Sequence, residues 1–312
     1  MAKYSRIEWT DATWSPVTGC APISEGCQNC YAKRMANRLR GRCGYPADDP
    51  FRVTLHPERL NEPLKWKTPR RVFVCSMGDL FHEDVHPYDI MQIFNVMAKA
   101  KHHTFLVLTK RPERMLEVYK RLRPGTTIPG PYFSITGKGE GWAGSPPSLP
   151  NNIWLGVTAE NQQRADERIP ILLEIPAAVR FVSVEPMLGP VDLSEWKPFD
   201  GVCYCQEDPR GCKPRLVKDC PETAIDWVIC GGETGPGARP IHPDWVRSLR
   251  DQCQAAGVPF FFKQWGEYGL NWLNDDNGKV EGSEWMDRMG KKKAGRILDG
   301  RTWDEMPCTQ SN

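Results

Sequence analysis

The sequence lacks any apolar run long enough to cross a bilayer, and its mean hydropathy is −0.53 over 312 residues. Near the start, Glu8 and Asp11 stand where a secretory signal would have its apolar core. A P-loop is also missing, because the glycine-rich run from Gly231 to Gly235 contains no lysine. These absences exclude membrane-spanning, exported and P-loop nucleotidase classes, and we expect a cytoplasmic protein.

An excess of charge of one sign is lacking too. The 41 Lys and Arg nearly balance the 39 Asp and Glu, which leaves a net charge of +2. No overall field therefore draws the chain to nucleic acid, and any such affinity must come from local patches. Basic clusters occur at Arg34, Arg38, Arg40 and Arg42, at Lys65, Lys67, Arg70 and Arg71, at Lys110, Arg111 and Arg114, and at Lys291, Lys292 and Lys293. Trp66 lies within one of them and would offer a stacking surface for an unpaired base.

Three cysteines close to the start form the strongest motif. Cys20, Cys27 and Cys30 lie on a segment rich in Pro, Ser and Gly, which favours a loop wrapped around a ligand. A structural zinc site needs four protein ligands, so three thiols indicate either a distant fourth ligand or a centre with one open position. A zinc knuckle completed by Cys43 and unreactive buried thiols remain the alternatives.

A second group of four cysteines lies in a segment that reads as an insertion. Its members are Cys203, Cys205, Cys212 and Cys220. Zinc, a second iron–sulfur cluster and unligated thiols all remain open for this group, because its spacing matches no established zinc motif. We expect Cys75, Cys230, Cys253 and Cys308 to be packing residues, since they lie in apolar or helical contexts.

Short β-branched runs alternate with amphipathic segments, which predicts βα units around a parallel sheet. The predicted strands are 7–17, 71–77, 104–109, 152–157, 179–184 and 226–230, with a seventh candidate at 259–263. Predicted helices follow Cys30, span 87–101, open at Pro112, span 161–175 with a break at Pro170, and span 243–256. Gly125 to Pro150 and Leu188 to Thr223 read as loop insertions, and residues 268–312 as a polar extension of a domain over 1–267.

Polar residues cluster at the predicted carboxyl ends of these strands, where loops of a parallel sheet converge on one face. They are Ser76, Gly78 and Asp79; Thr109, Lys110 and Arg111; Thr158, Glu160 and Asn161; Glu185; and Gly231, Gly232 and Glu233. Each alone is most simply a helix cap or a solvated loop residue. Their repetition at successive strand ends predicts a shared functional site.

The cysteine loop, the run Ser76 to Asp79 and the run Gly231 to Glu233 together resemble the radical S-adenosylmethionine superfamily. With Thr13 to Cys20 and Val184 to Met187, the chain looks most similar to a phage and bacterial three-cysteine-motif family of unassigned activity. The similarity extends to about Glu267. The commonest superfamily pattern has three residues between the first two cysteines and an aromatic before the third, whereas this chain has six residues and Asn29.

The resemblance implies a partial (β/α)6, TIM-barrel-like fold of the radical SAM type, with loop insertions. It further implies a [4Fe-4S] cluster on Cys20, Cys27 and Cys30, whose open iron takes S-adenosylmethionine and cleaves it reductively to a 5'-deoxyadenosyl radical. An electron-donor protein is then a required partner. The implied cofactor-binding residues are Ser76 and Asp79 for the ammonium group, Lys110 for the carboxylate, Gly78 and Gly232 in the loops, and Glu185 and Glu233 for ribose or substrate.

A nucleic acid or nucleotide substrate is expected from the basic clusters and from the broader similarity to spore photoproduct lyases. The rival interpretation is a zinc-binding adaptor or nucleic-acid-binding protein without catalysis, in which both cysteine groups hold zinc.

Overall fold

The computed structural model describes residues 5, 7–121, 149–196, 202–203, 215–216, 224–271 and 285–307. Most of the predicted insertion at 125–150 lies outside the described residues, and so do Cys205, Cys212, Cys220 and Cys308. Cys203 falls in a two-residue strand. The ligand state predicted for the second cysteine group therefore stays a prediction.

Mixed α/β architecture is built on thirteen strands in the described part of the chain. These are β1 Ala12–Trp14, β2 Val17–Thr18, β3 Thr54–Leu55, β4 Arg71–Val74, β5 Thr104–Thr109, β6 Ile153–Thr158, β7 Arg180–Val184, β8 Val202–Cys203, β9 Arg215–Leu216, β10 Trp227–Gly231, β11 Phe260–Gln264, β12 Tyr268–Asn271 and β13 Trp285–Arg288. Seven of them form one sheet in the order β1-β4-β5-β6-β7-β10-β11. The predicted α/β class and parallel sheet are confirmed.

The burial of its central strands is typical of a parallel sheet. Every residue of β6, β7 and β10 is buried, as expected for strands that are covered on both faces. The seventh candidate strand is confirmed as β11, which pairs in parallel with β10. The first predicted strand is shorter than expected, because the chain leaves β1 at Ser15 and starts the separate strand β2 at Val17.

Six helices lie in the described part of the chain. They are α1 Tyr31–Arg38, α2 Pro87–Lys99, α3 Pro112–Arg121, α4 Gln162–Leu173, α5 Pro243–Ala256 and α6 Lys291–Ala294. The predicted break at Pro170 is wrong, since α4 continues through it. Proline inside a helix costs about 3 kcal/mol. Ile169 and Leu172 flank Pro170 and are fully buried, which offsets that cost.

Contacts divide the chain into two compact units. Unit 1 comprises residues 1–23, 30–157 and 168–180, and unit 2 comprises residues 24–29, 158–167 and 181–312. In unit 1, β1, β4 and β5 pair in register, with Trp14 opposite Val74 and Val74 opposite Val107. Helix α2 buries Ile90, Ile93 and Met97 completely.

In unit 2, β10 pairs with β7 on one side and with β11 on the other. The residues after β11 pack back onto these strands, because the Phe262 N–H donates to the Trp303 carbonyl and the Trp227 indole donates to the Glu305 carbonyl. Strands β12 and β13 form an antiparallel pair. None of the helices described here has the length and apolar character that a membrane span requires.

Candidate functional site

The cysteine motif lies between β2 and α1. Cys20 follows Gly19 at the end of β2, Cys27 closes a short 3-10 helix, and Cys30 is the N-cap residue of α1. All three are half-buried, and each of them has a free thiol. Cys20 and Cys30 pack against one hydrophobic cluster of unit 1, formed by Ala32, Ala36, Tyr45 and Phe51.

Two glycines bring the start of this motif against the end of β4. Gly19 and Gly78 form a parallel bridge, and the Gly19 N–H donates to the Met77 carbonyl at 2.9 Å. A Cβ on Gly78 would lie 2.6 Å from the Gly19 carbonyl oxygen, so only glycine permits this approach. The sequence predicts Gly78 as a cofactor-binding residue. The structure shows that Gly78 also permits the backbone packing directly before Cys20.

Arg111 contacts the first cysteine of the motif. This side chain is 6 % exposed, and its Nη1 lies 3.3 Å from the Cys20 sulfur while its Nη2 donates to the Ala21 carbonyl at 3.1 Å. Its Nε donates to Glu83 at 3.3 Å. Burial lowers the pKa of Arg111, but the neighbouring Cys20, Asp79 and Glu83 outweigh burial and raise it. The guanidinium thus stays charged beside the Cys20 sulfur.

Asp79 anchors the same part of unit 1. Its Oδ1 accepts hydrogen bonds from the Phe81 N–H at 3.0 Å and the Thr109 hydroxyl at 2.8 Å. Its Oδ2 accepts from the Lys110 N–H at 3.1 Å and lies 3.5 Å from Arg111 Nη1. The strand-end residues of β4 and β5 are therefore brought together, as expected, with Asp79 at their centre. Ser76, which follows β4 and precedes Asp79 in the sequence, is half-buried.

Unit 2 holds a second polar cluster around Glu233, which is 6 % exposed. Arg239 donates to both of its carboxylate oxygens, at 2.7 and 2.9 Å, and Asn29 donates to Oε2 at 3.0 Å. Burial raises the pKa of Glu233, whereas the hydrogen bonds from Arg239 and Asn29 lower it by more, so the net pKa lies below its ordinary value. Glu233 is a carboxylate with both oxygens occupied.

The same cluster fixes the middle of the cysteine motif. Arg239 Nη2 donates to the Glu25 carbonyl at 3.0 Å, and Arg164 donates to the Glu25 carboxylate at 2.9 Å. The hydrogen bond from Arg164 is the main reason that the pKa of Glu25 falls to about 2. The Ser24 hydroxyl donates to the fully buried Glu160 at 2.5 Å and lies 3.6 Å from the Cys27 sulfur. Residues 24–29 are therefore firmly anchored within unit 2.

Glu185 and Gly232 lie at neighbouring strand ends of unit 2. Glu185 follows β7 and forms an ion pair of 2.6 Å with Lys263 of β11. A Cβ on Gly232 would overlap the Trp265 carbonyl, so Gly232 is needed for the close approach of β10 and the end of β11. Sequence reasoning did not select Lys263, Arg239 or Asn29. Lys263 had a usable signal, since it lies near the end of the seventh candidate strand.

Within the described ranges, no group of three or more His, Cys, Asp or Glu side chains is placed so that it could hold a metal ion. Cys43, the alternative fourth ligand, is exposed, and its carbonyl accepts a hydrogen bond from Arg59 at 2.6 Å. The donor chemistry of the motif nevertheless fits a thiophilic centre, because it offers three cysteine sulfurs on one short segment.

Comparison with known proteins gives a family. Residues 4–307 match the model of a family described as "Protein of unknown function (DUF5131)". Searches of curated proteins and of solved structures returned no match. Since the family model covers nearly the whole sequence, the chain belongs to the DUF5131 family of proteins of unknown function.

Proposed function

We propose that this protein is a radical S-adenosylmethionine enzyme with a partial-barrel fold of that type, in which Cys20, Cys27 and Cys30 hold a [4Fe-4S] cluster. The observation that carries the proposal is the placement of three thiols on one short segment between β2 and α1, at the start of a parallel βα sheet. When bound, such a cluster supplies the electron that cleaves S-adenosylmethionine and begins radical chemistry.

Under this proposal, the residues around the cysteine motif have specific roles. Arg111 holds the Cys20 sulfur and the following carbonyl, and Ser24 lies beside the Cys27 sulfur. Arg239 and Arg164 anchor the backbone and the side chain of Glu25, in the middle of the motif.

The candidate cofactor-binding residues are Ser76, Gly78, Asp79 and Lys110 in unit 1, and Glu185, Gly232 and Glu233 in unit 2. Asp79 and Glu233 already carry protein donors on both carboxylate oxygens. Their task is therefore to fix the loops that contact a cofactor, or to exchange one protein donor for a ligand donor. Glu185 differs from both, since its one described partner is Lys263.

A nucleic acid or nucleotide is the proposed substrate class. The support comes from the exposed basic segments, including Lys291–Lys293 on α6. The tryptophans give little support. Among the described residues, six of them are buried: Trp9, Trp14, Trp154, Trp227, Trp265 and Trp303. The face of Trp66 is covered by Arg70, whose guanidinium carbon lies 5.2 Å from the ring centroid.

The test is metal analysis of anaerobically reconstituted protein, followed by assay of 5'-deoxyadenosine formation with a chemical reductant. We expect bound iron and sulfide, a brown protein and cofactor cleavage. Cys27→Ala should abolish cleavage while the protein stays folded. Cys43→Ala is the matched control and should retain iron and activity, because Cys43 lies outside the three-cysteine motif.

Two outcomes would overturn the proposal. One is zinc without sulfide in the wild type together with loss of that zinc in Cys43→Ala, which is the result expected of a zinc knuckle and favours the adaptor function. The other is unchanged 5'-deoxyadenosine formation in Cys27→Ala.

A further inference from the structure

Lys263 and Glu185 form an ion pair at the carboxyl ends of the strands of unit 2. Glu185 directly follows β7, and Lys263 is the fourth residue of β11, with β10 between them. The Nζ to Oε1 distance is 2.6 Å, and the side chains are 15 % and 19 % exposed, respectively. The pair is therefore largely, but not completely, buried.

Two backbone features make this contact across the middle strand possible. Gly231 ends β10 between the two side chains, and a Cβ there would lie 3.3 Å from Glu185 Cδ. The register of β10 and β11 also shifts here, because Cys230 pairs with Phe262 but Gly231 pairs with Gln264, which leaves Lys263 as the extra residue. Bulges of this kind redirect a side chain and are common beside functional sites.

The pair retains hydrogen-bonding capacity, unlike the neighbouring carboxylate of Glu233. Among the described residues, Lys263 has Glu185 as its partner, so two ammonium N–H groups and the second Glu185 oxygen remain for a ligand. Glu233 has both oxygens occupied by Arg239 and Asn29. The structure thus distinguishes two carboxylates that are equivalent in the sequence pattern, and Glu185 is the one with an oxygen for which the described residues provide no hydrogen-bond partner.

The charges of the pair restrict the ligand. A phosphate would be attracted by the ammonium of Lys263 but repelled by the carboxylate of Glu185. A metal cation would be repelled by the ammonium. A neutral group with a hydrogen-bond donor next to an acceptor matches both side chains. In a nucleotide, that description fits the edge of the base, where N–H donors and carbonyl or ring-nitrogen acceptors adjoin.

We propose that Lys263 and Glu185 form a subsite that binds the hydrogen-bonding edge of a nucleobase, with Lys263 donating and Glu185 accepting. This inference deepens the proposed function and rests on its nucleotide substrate class. Binding at this subsite does not require a bound iron–sulfur cluster, because both residues of the pair belong to the protein itself. Lys263 is therefore a specificity residue that the pattern of strand-end carboxylates did not reveal.

The experiment measures binding of adenosine, guanosine, cytidine and uridine to the full chain, as isolated, by isothermal titration calorimetry. Ribose and inorganic phosphate are the comparison ligands. We expect at least one nucleoside to bind, with no competition from ribose or phosphate. Lys263→Met and Glu185→Gln should each weaken its binding by about tenfold or more, as expected for loss of a charged hydrogen bond.

Lys120→Met is the matched control, because it removes the lysine of an exposed Lys–Glu pair with Glu174. It should leave nucleoside affinity unchanged. Should Lys263→Met fail to fold, Glu185→Gln decides, since it keeps the size of the side chain. Absence of nucleoside binding to the wild type, equal competition by ribose, or unchanged affinity in Glu185→Gln would each overturn the subsite. Iron and sulfide analysis of the same wild-type protein reports separately on the proposed function.

Discussion

At the scale of single residues, the site is built from buried charges that other side chains hold in place. Asp79, Arg111 and Glu233 are each about 6 % exposed, and each has several polar partners. Burying a charge without such partners would cost several kcal/mol. These residues therefore fix the loops around the cysteine motif with little freedom to rearrange, and the effects of replacing them can be predicted.

Asp79→Asn is expected to destabilise the protein by about 2–4 kcal/mol, because an amide N–H₂ would replace an oxygen that accepts from Lys110 and faces Arg111. Urea unfolding measures the change. Asp84→Asn is the control, since the Asp84 side chain is 72 % exposed, and should lie within about 0.5 kcal/mol of the wild type. Equal unfolding midpoints for the two variants would contradict the assigned role of Asp79.

His56 gives the fold a pH dependence. It is 3 % exposed beneath β2, where its Nε2 lies 2.8 Å from the Thr18 hydroxyl. Burial lowers the pKa of His56 below its ordinary value of 6.5, and the nearby Arg59 lowers it further. Since the pKa is lower in the folded state, the neutral ring stabilises the fold above pH 6.5, and this contribution is lost as the pH falls through the folded pKa.

We therefore expect the free energy of unfolding of the wild type to fall between about pH 7 and pH 5, and to fall less steeply in His56→Gln. Denaturant unfolding at several pH values measures both slopes. Identical slopes would show that His56 is not responsible. The other histidines are present in both proteins, so the difference between the two isolates His56.

At the scale of elements, close backbone contacts decide where strands and loops meet. Gly78 admits the backbone of Gly19, and Gly232 admits the carbonyl of Trp265. In the sequence these glycines resembled cofactor-binding loops, whereas the structure shows that each is also required for packing. A glycine motif can serve both purposes, so its presence alone does not identify a ligand.

Gly232→Ala is expected to destabilise the protein by about 3 kcal/mol or more, because the new Cβ would overlap a backbone carbonyl that cannot rotate away. Gly257→Ala is the control. Gly257 caps α5 at a φ of +65° with no atom within 4 Å of the new Cβ, so the cost should be only about 1 kcal/mol. Thermal unfolding compares them, and equal losses would refute the packing role of Gly232.

At the scale of the whole molecule, the near balance of charge limits how nucleic acid can bind. A net charge of +2 gives little general attraction, so binding depends on local segments such as Lys291–Lys293. The proposal of a nucleic acid substrate therefore predicts binding that is weak and strongly dependent on salt.

Filter binding tests that prediction. Single-stranded DNA or RNA should be retained at about 50 mM salt and largely released by about 200 mM, because displaced counterions drive association. Replacing Lys291, Lys292 and Lys293 by Ser should reduce retention and flatten the salt dependence. Lack of salt-dependent retention of either polymer by the wild type would count against a nucleic acid and leave free nucleotides as the substrate.

The α/β class, six of the parallel strands with β11 as a seventh candidate, and the strand-end positions of Asp79, Glu185 and Glu233 could be predicted from the sequence alone. These follow from local patterns, since buried parallel strands are continuous apolar runs and polar residues mark their ends. The prediction of a break at Pro170 was wrong, because the burial of Ile169 and Leu172, which stabilises α4 across the proline, depends on tertiary packing.

The tertiary structure was needed to show which polar side chains already have their hydrogen-bond partners and which remain available to a ligand. Three contacts illustrate this. Arg111 and Cys20 are 91 positions apart, Lys263 and Glu185 are 78 apart, and Arg239 and Glu233 are 6 apart. No periodicity or spacing encodes such pairs when strands from different parts of the chain bring them together. The physical reason is that hydrogen bonds and ion pairs depend on distances of a few ångströms, which packing of the whole sheet sets.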